Sequence, residues 1–339
     1  MPRPSWTRLS DAELLQMRFC DLKLRFAGSK LERRLKKRLY HELERRGIGF
    51  RPHMWLAEEW FSPDGVPGIA VPFYLAHPRL LRLERQMMRQ VEGGNSNWMM
   101  RILRHEAGHA IDTAWRLRHR ARCREVFGPA SLPYPERYQA RPGSRRYVRH
   151  LGEWYAQSHP TEDFAETFAV WLKPNSDWRR SYAFWPARRK LQLMDELMEE
   201  VRTTAPRVRS RRFVEPLSEN RRTLAEHYEE KLARRGYPRR CLADDLLRRV
   251  FTARLVRRDV PRASTWLRSC KPQLVDAAAR DAGADRYAAH QMLRLAIGRA
   301  EALGLVLRRP QRQTLPHARR LLASMIRSYG QGKSPQMNL

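Results

Sequence analysis

Residues 104–112 read RHEAGHAID, and the fold follows from how that stretch is read. A random shuffle of a chain with 11 histidines would contain His-Glu-x-x-His only about 0.02 times. Asn95-Ser96-Asn97 offers helix N-caps, and Trp98, Met99, Ile102, Leu103, Ala110 and Ile111 then recur at helical spacing with no proline before Arg120. The spacing therefore predicts a helix with His105 and His109 one turn apart on one face. Two imidazoles so placed can reach one ion about 2.1 Å from each nitrogen. Gly108, inside the pattern, costs a helix roughly 1 kcal/mol relative to alanine, so another element is expected to approach closely there. The competing reading is a buried helix whose two histidines are simply satisfied.

Two histidines do not complete a catalytic zinc site, which takes three protein ligands and keeps one position open. HPTEDFAETFAVWL, residues 159–172, offers a third. His159-Pro160 can open a helix, with Glu162 and Asp163 near the positive end of its dipole. Glu162 and Glu166 then share a face. Glu162 is the candidate ligand, and Glu166 is the candidate acceptor of a ligating histidine's second N–H. Asp112, nearly one turn past His109, is a further candidate for that supporting role. Acids in a first helical turn also arise from dipole complementarity alone, which is the alternative for Glu162.

HEAGH followed by EDFAE resembles the gluzincin zinc peptidases, and TEDFAETFAVWL with LGEWYAQSHP is similar to the catalytic domain of anthrax lethal factor. More closely, phrases such as PGIAVPFYLAHPRL, RHEAGHAID and WYAQSHPTEDFAETFAVWL between about residues 8 and 232 resemble a bacterial family of zinc-binding metallopeptidases. Some of its members begin with a cysteine-rich zinc ribbon, which this chain lacks. The resemblance implies one catalytic zinc held by His105, His109 and Glu162, with Glu106 as general base. It also implies Tyr155 as the hydroxyl that stabilises the oxyanion. His159 is a second candidate donor. In other settings a tyrosine in a tryptophan-rich segment packs in a core, and a histidine before proline caps a helix.

FRPHMWLA and GIAVPFYLAHP read as short strands around the turn SPDGVPG, residues 62–68. Pro72 cannot donate a ladder hydrogen bond, which puts its strand at a sheet edge. There an extended peptide substrate could add to the sheet, unless the proline merely protects the edge. The expected fold class is α+β. A mostly helical zincin-like metallopeptidase domain with a small antiparallel sheet spans 1–205, a charged linker and helix 206–232, a basic all-α region 233–329 and a disordered tail 330–339.

No apolar run approaches the roughly 18 residues that span a bilayer, and MPRPSWTRLSDAELL has no apolar signal core. Cys20, Cys123, Cys241 and Cys270 are scattered and form no CxxC pair. A soluble protein of a bacterial cytoplasm, with no membrane partner, is expected. The formal net charge is +31, and residues 221–339 carry 26 Lys and Arg against 10 Asp and Glu. Such a field draws in anions, either an acidic peptide or protein substrate or, through the C-terminal helices, nucleic acid. No nucleic-acid recognition motif is recognised, and an arginine-rich compositional bias is the competing account of part of the excess.

Overall fold

The computed structural model describes residues 4–88, 91–135, 137–234, 242–253, 260–284, 286–330 and 337–338. It divides into two compact units, one of residues 1–134 with 145–234 and one of 135–144 with 235–339. It is mostly helical, with short two-stranded sheets. Among the described residues, no helix is long and apolar enough to cross a membrane.

The first unit opens with α1 (Asp11–Leu15), α2 (Lys30–Arg45), β1 (His53–Ala57), β2 (Gly68–Pro72) and α3 (Pro78–Met88). Leu31, Leu35, Leu39 and Leu43 form the buried stripe of α2, which Ser29 caps by accepting from the Glu32 amide. Helix α4 (Ser96–Trp115) starts where the Asn95 side chain accepts from the Trp98 amide, and it ends at Arg116, which has left-handed backbone (φ 52°). Then come α5 (Ala121–Phe127), α6 (Pro160–Leu172), α7 (Trp178–Ser181), α8 (Arg188–Thr203) and α9 (Leu224–Arg234).

Helices α4 and α6 lie at the centre of the unit. Every residue of α6 from Thr161 to Leu172 is buried, and so is nearly all of α4 after Met99. The close approach expected at Gly108 is present: a Cβ there would stand 2.9 Å from the Cα of Ala165. A buried pair in which Arg104 Nε and Nη2 donate to Glu42 (2.6 and 2.7 Å) ties α4 to α2 next to His105.

The two expected strands form, but they pair in parallel, His53 opposite Gly68 through Ala57 opposite Pro72. Phe61 accepts the Ala70 amide on the far side of β2; beside β1 the Leu217 amide meets the Leu56 carbonyl, and the ring nitrogens of His53 and Trp55 donate to the Arg212 and Val214 carbonyls. The expected place for a substrate peptide beside β2 is therefore taken at Ala70 by the chain's own return through Phe61. Residues 206–232, expected as a linker, run across the first unit: Arg207 and Val208 amides donate to Ala114, and Leu217 donates to Leu56.

In the second unit, β3 (Arg137–Tyr138) pairs antiparallel with β6 (Met337–Asn338), although 330–339 was expected to be a disordered tail; residues 331–336 and 339 lie outside the described residues. Helices α10 (Leu242–Val250), α11 (Ala263–Ser269), α12 (Lys271–Ala282), α13 (Arg286–Ala302) and α14 (Gln311–Gly330) follow the sequence periodicity. The region is not purely helical, because β4 (Phe251–Ala253) pairs antiparallel with β5 (Leu305–Leu307). Their β-branched and aromatic side chains, Phe251, Thr252 and Val306, suit strands, and the helical pattern of neighbouring residues hid them. Cys20, Cys123 and Cys270 are free thiols; Cys241 lies outside the described residues.

Candidate metal centre

Helix α4 brings the Nε2 atoms of His105 and His109 to 3.0 Å from each other. Helix α6 brings Glu162 Oε2 to 2.9 Å from the first and 3.3 Å from the second. These three are the residues that could share a metal ion, with donor atoms within 4.8 Å of one another. Donors arranged tetrahedrally about 2.1 Å from a zinc ion stand about 3.4 Å apart, so this triangle fits zinc after slight opening. The chemistry agrees with the geometry. Three lone-pair donors pointed at one spot repel unless a cation or a proton lies among them.

The surroundings set which atoms face that spot. Glu166 Oε1 lies 3.0 Å from His105 Nδ1, and its Oε2 accepts from the Leu151 amide at 2.8 Å. With Nδ1–H committed to Glu166, His105 presents a bare Nε2. Burial disfavours a charged His105, but its hydrogen bonds to Glu162 and Glu166 outweigh that and raise it to about 10 when only protein groups surround it. Burial likewise opposes ionisation of Glu162, yet His109 and His105 hold it well below the usual carboxylate range.

Glu106 is buried, and burial pushes its pKa up, with His105 and His109 opposing. No hydrogen bond or ion pair holds its carboxylate among the described residues, as an acceptor of a substrate proton requires. Tyr155 opens a short 3-10 turn before α6, and its ring centre lies 5.5 Å from that of His105. The two residues before it, Glu153 and Trp154, both have φ of 57°. Left-handed backbone costs a non-glycine residue roughly 1–2 kcal/mol, so the kink before Tyr155 has to be offset by other interactions of the fold.

Two sequence candidates take other roles. His159 caps α6: its Nδ1 accepts from the Thr161 amide (3.2 Å) and its Nε2–H donates to the Leu132 carbonyl (2.9 Å). With both nitrogens engaged it has no N–H to offer an oxyanion. No hydrogen bond joins Asp112 to His109 among the described residues, although the two interact through charge. The αL turn at Arg116 folds the chain back, so Asp112 Oδ1 accepts from the Arg118 amide at 2.7 Å.

Reading the sequence alone missed two contributors. Lys190 of α8 pairs with buried Asp163 and rides over the Tyr147 ring at 4.2 Å. Tyr134 donates its hydroxyl to Glu162 Oε1 at 2.9 Å. Burial, together with the Glu162 charge, pushes that phenol's pKa up, so it remains a donor. The available signal was an aromatic bracketed by Pro133 and Pro135 in a loop, with no periodicity to connect it to α6.

A helix-borne His-x-x-x-His with a carboxylate from an adjoining helix is an arrangement that could hold a zinc-type ion. Residues 82–184 match the model of a family described as "Putative zinc-binding metallo-peptidase", a span that contains His105, Glu106, His109, Tyr134, Tyr155, Glu162 and Glu166. Comparison with curated proteins and with solved structures gave no match.

Proposed function

We propose that the chain is a zinc-dependent peptidase in which His105, His109 and Glu162 hold the ion and Glu106 moves the proton. The observation that carries this reading is the convergence of those three donors beside a buried, unpaired glutamate. Zinc in such a site supplies a Lewis acid that polarises a peptide carbonyl and makes water more acidic. Glu106 accepts the proton of the attacking water and passes it to the departing amine, a transfer its raised pKa favours. Glu166 fixes the tautomer and orientation of His105. Tyr155, beside the His105 ring, is the proposed donor to the oxygen that becomes negative.

The substrates proposed are acidic peptides or proteins. Arg207, Arg209, Arg211 and Arg212 are exposed and make no ion pair among the described residues. Their segment starts with Arg207 and Val208 hydrogen-bonded to Ala114, five residues past His109 or about 8 Å along the helix axis, and continues to Arg212 beside His53. Unpaired positive charge this near a cleavage site raises the local concentration of acidic chains. The location proposed for this activity is the cytoplasm.

The deciding experiment measures zinc content and peptide hydrolysis on the purified chain. About one zinc per chain, weakened separately by His105→Ala, His109→Ala and Glu162→Ala, supports the reading. Full zinc retention in Glu162→Ala would remove that residue from the site. Mass-spectrometric comparison of protein termini in cells with and without active Glu106 would then identify substrates.

A further inference from the structure

We propose that Tyr134 is a positioning residue that restrains Glu162 to one-oxygen ligation and so keeps a coordination position open for water and substrate. The inference rests on the metallopeptidase reading and concerns how its third ligand is held. A carboxylate beside a metal can bind through one oxygen or both, and two-oxygen binding fills the position that a catalytic site must leave open. In this site the two oxygens of Glu162 are differentiated. Oε2 faces both histidine Nε2 atoms, at 2.9 and 3.3 Å, whereas Oε1 accepts the Tyr134 hydroxyl at 2.9 Å.

Tyr134 can act as a restraint because it is itself fixed. Its ring stacks on the His159 imidazole with centres 3.8 Å apart and planes 18° from parallel. That imidazole is held at both nitrogens, by the Thr161 amide and by the carbonyl of Leu132, two residues before Tyr134. The cap of α6, the loop 132–134 and the candidate ligand therefore close into one hydrogen-bonded ring. Half of Tyr134 nevertheless remains open to solvent, with 52 % exposure, and nearby Leu132 is 49 % exposed. A substitution at Tyr134 therefore removes little packing from the core.

The test uses the full-length protein, wild type against Tyr134→Phe and Tyr134→Leu. Zinc affinity is read by chelator competition, and the visible spectrum is read after cobalt replaces zinc. Phenylalanine keeps the ring on His159 and removes only the donor. Tyr134→Phe should weaken zinc binding about 10- to 100-fold, the range seen when a group supporting a ligand is lost. Its cobalt form should absorb more weakly, because coordination expands once both carboxylate oxygens can bind. Unchanged affinity and an unchanged cobalt spectrum in Tyr134→Phe would overturn the inference. So would loss in Tyr134→Leu alone, which would leave only ring packing. Wild-type protein that took up no zinc would overturn the metal reading itself, and this inference with it.

Discussion

A group that takes a proton from water and gives it to an amine works best when its pKa approaches the working pH, and Glu106 is buried so as to move in that direction. Glu106→Gln keeps the shape and removes the basicity. Zinc content should stay at the wild-type level while peptide turnover drops by about 10²- to 10⁴-fold; a variant that still cleaved normally would assign the proton transfer to another group. A second residue gives the fold an acid limit. His150 is buried and donates to the Arg101 carbonyl. Burial holds its pKa down to about 4, against 6.5 for a free ring. Between those values the unfolded chain binds a proton that the folded chain refuses. The contribution is therefore complete above about pH 6.5 and is lost as pH falls towards 4, by up to about 3 kcal/mol. Unfolding midpoints at pH 7.5 and 5 should differ more for wild type than for His150→Gln; parallel curves would refute the assignment. At this scale the sequence reveals residues that share a helix: His105, His109, Glu162 and Glu166 announce themselves through four-residue spacing. It hides Tyr134, Leu151 and His150, which reach the site from loops where spacing carries no geometric meaning.

At the scale of elements, the contact between α4 and α6 sets how far Glu162 stands from the two histidines. Gly108→Ala tests it. Alanine favours a helix by up to about 1 kcal/mol, but its methyl group would meet the Cα and carbonyl oxygen of Ala165 at 2.9 and 3.1 Å. Those are backbone atoms, which cannot swing aside, and overpacking of this kind costs about 1–3 kcal/mol. Ala165 is three residues from Glu162, so the separation it forces should also weaken zinc binding. Thermal unfolding and chelator competition should both fall; a stabilised variant with full affinity would show that the helices can slide apart freely. Gly108 made this contact legible in advance, because a helix interior tolerates glycine for a reason. The parallel pairing of β1 and β2 was not legible. Alternation and turn residues mark where strands are, whereas pairing direction depends on the path of the ten residues between them.

Across the whole molecule, an excess of +31 charges creates a field felt well beyond any one contact. If it recruits substrate, glutamate-rich peptides should be cleaved faster than neutral ones of equal length, and the advantage should shrink between about 50 and 500 mM salt as screening shortens the reach of exposed charge. Replacing Arg207, Arg209, Arg211 and Arg212 by glutamine should reduce that advantage and leave turnover of a neutral peptide unchanged. Equal rates on both peptides at low salt would leave the arginines as composition. Charge density was readable from the chain alone; which arginines lack carboxylate partners required the fold.

Glu166 grips His105 with one oxygen and the Leu151 amide with the other. Any change in electron demand on the imidazole is thereby relayed to a single main-chain proton. On titration with zinc, the nuclear magnetic resonance signal of the Leu151 amide should move between two positions, one for each occupancy of the site. It serves as a built-in gauge that needs no substrate. In Glu166→Gln, where the relay carries no charge, that signal should lose most of its response even if some metal still binds.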